Sequence, residues 1–150
     1  MRGASALDRV LDQLKDADLR VFVVWEPVLK TDVAPPLSRV LALIDDSRVA
    51  QYWDPDRVLS ADFVRSVNEA PSKYGVDGPL PSEFIAWDVV AVFGRSARWD
   101  RDLPPPDYYG GPVIQSIDEA GKAIDEATRP EPSPVPEPGS SDPASAPPAG

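Results

Sequence analysis

Leu19 to Trp25 reads Leu-Arg-Val-Phe-Val-Val-Trp, and Pro27 stands two residues later. Val21 to Trp25 are all β-branched or aromatic. The run is short for a helix and lacks the polar alternation of a strand with one wet face. It predicts a strand covered on both faces, ended by a proline that cannot donate to a ladder. A strand of that kind belongs to a sheet sandwiched by helices, which restricts the chain to an α/β architecture.

The flanking segments supply those layers. Leu7, Val10, Leu11 and Leu14 recur at helical spacing, with Ser5 placed as cap and Asp16-Ala17-Asp18 as terminus. Pro35 and Pro36 suit the first turn of a second helix, whose stripe is Leu37, Val40, Leu41 and Ile44. Arg48 to Trp53 reads as a second strand. Asp54-Pro55 opens a third helix with Val58, Leu59, Phe63, Val67 and Ala70 inward. Pro71, Gly75, Gly78, Pro79 and Pro81 mark a loop. Ile85 to Phe93 reads as a central strand, apolar on both faces except at Asp88. A short strand at Ala97 to Trp99 would pair back across Gly94-Arg95-Ser96. Leu103 to Gly111, with Pro104, Pro105 and Pro106, reads as a stiff loop. Ser116 and Glu119 open the last helix as a capping box.

This order implies parallel strands with right-handed crossovers, then a hairpin and a terminal helix. It predicts a three-layer α/β/α fold with a mixed four-stranded sheet. The order resembles that of thioredoxins, with an added N-terminal helix. Val23-Val24-Trp25 followed by Glu26-Pro27-Val28-Leu29 resembles the strand end where thioredoxins carry Trp-Cys-x-x-Cys, but no thiol stands here. The blocks Trp25 to Leu29, Gln51 to Asp54 and Trp87 to Val90 are similar to a group of bacterial thioredoxin-like proteins of uncharacterised activity. The resemblance spans about Leu19 to Thr128. It implies the fold and a retained binding surface, without disulfide chemistry. The family's cis-proline position reads Phe84-Ile85-Ala86-Trp87 and holds no proline.

Composition limits the chemistry. The 150 residues include no cysteine and no histidine. That excludes thiol catalysis, dithiol redox cycling, cysteine zinc sites and a Ser-His-Asp triad. The net charge of −10 argues against a nucleic-acid partner. Eight of the 19 prolines fall in residues 130–150, with Glu131, Glu137, Asp142 and no base. That segment reads as a disordered, Pro-rich, acidic tail with polyproline-II character. Residues 1–129 read as one domain. No run is long and apolar enough to span a membrane, and Met1 to Ser5 lacks the apolar centre of a signal peptide, so a cytoplasmic location is expected.

The candidate binding surface is Trp25, Glu26, Thr31 and Asp32, at the carboxyl end of the first strand, where α/β sheets hold ligands. These acids either cap a helix or meet a hard cation or basic partner. Tyr108 and Tyr109 either dock a peptide or pack over the sheet edge. Each tryptophan precedes an acid, which fits aromatics closing strands and acids capping the next element. Asp88 needs a partner such as Arg20, Arg48 or a backbone amide if it is buried. The leading reading is a redox-inactive binding or protein-interaction module for an unidentified protein or small molecule, without a cofactor. The alternative is a non-redox enzyme using carboxylates between Trp25 and Asp32, with a divalent metal as one option.

Overall fold

The Val21–Trp25 run forms strand β1 (Val21–Trp25), and it pairs in parallel with β2 (Val49–Trp53), from Val21 opposite Val49 to Trp25 opposite Trp53. The computed structural model describes residues 2–129. The tail assigned to 130–150 lies outside the described residues. Before β1 runs helix α1 (Arg2–Gln13). Between the strands lies a single turn, α2 (Ser38–Leu41). After them come α3 (Val58–Glu69), a 3-10 turn (Pro71–Tyr74), β3 (Val90–Val92), β4 (Tyr108–Gly110) and α4 (Val113–Thr128).

The expected four-stranded thioredoxin-like sheet is not what forms. The described residues make two two-stranded sheets, β1 with β2 in parallel and β3 with β4 antiparallel. The reason lies before β3. Asp88 takes φ 53°, a left-handed conformation that cannot continue a ladder. The Trp87 amide bonds back to the Ile85 carbonyl at 2.8 Å, and the Ala86 amide donates to Ser60 Oγ at 2.8 Å. Residues 85–88 therefore turn, and only Val90–Val92 of the expected long strand remains extended in a sheet.

The expected partner of that strand is also corrected. Ala97 to Trp99 forms no strand; the Ala97 amide closes a turn onto Gly94. Its place is taken by Tyr108–Gly110, beyond the proline loop, paired Val92 to Tyr108 and Ala91 to Tyr109. The last helix starts three residues before Ser116, which is buried within it.

Alternation along β4 divides the core. Tyr108 packs with Val92, Val10, Ile117 and Ala120 between the sheet and the α1–α4 pair. Tyr109 points the other way, into Phe63, Val67, Tyr74 and Leu103 under α3. The β3–β4 pair thus has apolar cover on both faces.

Arg48 joins α1 to β2. Helix α1 has no basic residue in its last turn. Arg48 Nη2 donates to the Leu11 carbonyl at 2.8 Å, and Nη1 to Leu14 at 2.6 Å and Ala17 at 3.3 Å. These carbonyls lie at or just beyond the carboxyl end of α1, where a cation is favoured, and Leu11 and Leu14 also accept backbone amides there. Asp46 orients the guanidinium through Nε and Nη2, and the Arg48 carbonyl receives the Val21 amide. The Arg48 side chain, and after it the Arg48 backbone N–H, hold the Asp46 carboxyl down from 3.8 to about 2. A carboxyl depressed on folding stabilises above its unfolded pKa and loses that contribution as pH falls through the folded value. Asp46→Asn should therefore be less stable than wild type at pH 7 by about 1–2 kcal/mol, a figure reduced for partial solvent screening. Urea denaturation across pH should show the gap closing between about pH 4 and pH 2. A gap independent of pH would show that Asp46 does not act through its charge.

Candidate functional site

The carboxyl end of β1 is built from side chains that reach across the fold. Trp25 Nε1–H donates to Gln51 Oε1 at 3.0 Å, and Gln51 Nε2 donates to the Leu41 carbonyl at 2.9 Å. The half-buried indole is thereby tied to β2 and to the end of α2.

Glu26 turns toward α3. Its Oε1 accepts the Ser60 amide at 3.1 Å, and its Oε2 accepts the Ser60 hydroxyl at 2.5 Å. Ser60 Oγ in turn accepts the Ala86 amide. Asp54 Oδ2 accepts the Leu59 amide at 2.9 Å. Two carboxylates thus satisfy donors that the first turn of α3 leaves unpaired, where the helix dipole favours negative charge. Arg57, at φ 56° just before the helix, donates from Nε to the Pro27 carbonyl at 2.8 Å. That bond fastens the β1 exit to the α3 entry.

Asp32 acts locally. Its Oδ2 accepts the Val28 amide at 3.1 Å and the Leu29 amide at 2.8 Å, closing a turn on which Thr31 is exposed. The second helix starts only at Ser38, so Asp32 braces its own loop instead of that helix.

Trp25, Glu26, Thr31 and Asp32 therefore share one connection, while Tyr108 and Tyr109 lie on β4. Tyr109 stacks on Phe63 with ring centroids 5.0 Å apart. Burial raises the pKa of its hydroxyl above the ordinary value. Tyr108 OH donates to the Ser116 carbonyl at 3.1 Å. Both tyrosines pack within the layers, on opposite faces of their strand. Asp88 accepts the Val113 amide through its own carbonyl at 3.0 Å and through Oδ1 at 3.4 Å, so its partner is a backbone amide at the start of α4.

Three residues central to this network carry no assigned site role in the sequence reading: Ser60, Gln51 and Arg57. Ser60 had a legible signal. Ser60, Phe63, Val64 and Val67 fall at i, i+3, i+4 and i+7, and all are buried. A serine on that stripe must find a partner. The expected stripe included Val58, which is exposed.

The chemical consequence is specific. Ser60 is 2% exposed, its hydroxyl donates to Glu26, and it accepts Ala86. A nucleophile needs a reachable oxygen and a base with a free lone pair directed at it. Glu26 Oε2 is directed at the hydroxyl, but the Ser60 oxygen is buried and also accepts the Ala86 amide, so it is not reachable. Among the described residues no group of three or more carboxylates converges as a metal site. Nor is any described helix long and apolar enough to cross a membrane. Comparison with protein-family models, with curated proteins and with solved structures gives no match.

If the network is a brace, its members should differ in weight. Ser60→Ala leaves the Glu26 carboxylate and the Ala86 amide short of a partner, and should cost about 2–3 kcal/mol. Asp54→Ala removes a single capping acceptor and should cost about 1 kcal/mol. Urea midpoints measure both. Equal, negligible costs would show that the network holds nothing together.

Proposed function

We propose that this chain is a protein-binding module that docks a partner through the β1–α2 connection and the adjoining start of α3. The observation that carries this reading is the division of labour in that connection. Its buried or half-buried polar groups are spent on backbone and side chains of the fold, with Glu26 on Ser60, Asp32 on Val28 and Leu29, and Arg57 on Pro27, while Lys30 and Thr31 are exposed. Its apolar groups face outward: Val33 is 86% exposed, and Leu29, Leu37 and Val58 are also exposed. Exposed apolar groups gathered on a braced loop are what a protein interface uses, since their burial against a partner supplies the affinity. An enzyme site would show the reverse, with polar groups converging on a cleft.

A redox role is outside this reading, because the chain has no thiol. The partner expected is a protein with an apolar docking surface. Basic residues at its rim would meet the negative overall charge of this chain.

Photo-crosslinking in the cells that make the protein tests the assignment. A benzophenone side chain placed at Val33 should give a discrete adduct, and the same group at exposed Lys122 should not. Leu29→Ser with Leu37→Ser should reduce that adduct at least about tenfold, the loss expected of more than 1 kcal/mol at the interface. The melting temperature should stay within a few degrees of wild type. Adducts of equal yield from both positions, or none from Val33, would move the interface elsewhere.

A further inference from the structure

The β1–β2 sheet also displays an exposed aromatic pair. In their register Phe22 lies opposite Ala50 and Val24 opposite Tyr52, so Phe22, Val24, Ala50 and Tyr52 share one face. Phe22 is 63% exposed and Tyr52 54% exposed, with ring centroids 6.3 Å apart. They border an open groove of about 460 Å³ that also includes Asp18 and the exposed Arg20.

The end of α4 lies beside this groove. Arg95 reaches the Asp18 carboxylate with Nη1 and the Thr128 carbonyl with Nη2, each at 3.4 Å. One guanidinium therefore spans from the groove's rim to the last turn of α4. The chain continues from there into Pro130-Glu131-Pro132-Ser133-Pro134-Val135-Pro136-Glu137-Pro138.

We propose that Pro132 to Pro138 docks in cis on the Phe22–Tyr52 face. Three observations favour this occupant over another protein. The first is reach: the Arg95 guanidinium and its two contacts of 3.4 Å separate Thr128 from Asp18, and from Asp18 to Phe22 an extended chain covers about a further 13 Å. Nine residues in polyproline-II geometry cover about 28 Å. The second is chemistry. Proline-rich segments lose little conformational entropy on binding and pack their rings on exposed aromatic faces. The third is charge: Glu137 in the segment comes without a neighbouring base, the exposed Arg20 stands in the groove, and the groove's one carboxylate, Asp18, is paired with Arg95. Tethering adds a high effective concentration, so a weak intrinsic contact suffices.

The absence of cysteine makes the test direct. A nitroxide on Ser133→Cys is the sole label in the full chain. Paramagnetic relaxation should cut the amide signals of Phe22 and Tyr52 by more than half, and leave that of Lys73 unchanged. Phe22→Ser with Tyr52→Ser should restore the signals at 22 and 52. No broadening at those positions would overturn the proposal, and so would broadening that survives the double substitution. A mixture of spin-labelled unenriched chains with unlabelled 15N chains should show no effect; broadening there would assign the contact to a second copy and overturn docking in cis. The crosslinking at Val33 is independent of all these outcomes.

Discussion

The Glu26–Ser60–Ala86 relay fixes the relation between three segments that are far apart in sequence. Glu26 leaves β1, Ser60 lies in the first turn of α3, and Ala86 precedes β3. A buried serine hydroxyl has one proton to give and can accept in return. Here the carboxylate takes the proton and a backbone amide fills a lone pair, so burial leaves the group satisfied. The same bonds have an architectural cost. An amide committed to Ser60 cannot join a sheet ladder, and the chain turns at 85–88 before it becomes a strand.

This arrangement changes what the acids near β1 mean. In the sequence, Glu26 and Asp32 resemble a reactive edge emptied of its sulfur. In the fold they are acceptors for backbone amides, as are Asp54 at α3 and Asp88 at α4. Large apolar side chains are left exposed, among them Leu29, Val33, Leu37 and Val58, and Phe22 with Tyr52. An acidic chain thus spends part of its negative charge inward, where it organises loops, and offers hydrophobic groups outward.

Periodicity made much of the fold legible. The stripe of α1, the place of β1 and the acceptor Asp54 before α3 follow from spacing, but β1 is not covered on both faces, since Phe22 is 63% exposed. Three failures have physical causes. Asp88 looks like one polar interruption in a strand, but aspartate tolerates a left-handed backbone and here adopts it. Tyr108–Gly110 comes after three prolines and reads as loop; it becomes a strand because the Asp107 amide reaches the Val92 carbonyl and sets the register. The second helix shrinks to Ser38–Leu41, since the chain beyond it tightens into three-residue turns at Leu43 and Ile44. Arg48 shows the remaining limit. Its three carbonyl partners lie 31 to 37 residues away, beyond any local pattern.

Glu26 is a structural brace coupled to Ser60, and a double-mutant cycle on folding stability measures that coupling. Glu26→Gln, Ser60→Ala and the double variant are unfolded in urea beside the wild type. The expected coupling energy is about 1–3 kcal/mol, with the double variant less destabilised than the sum of the single ones. Strict additivity would show that the two side chains act independently, and would contradict the relay.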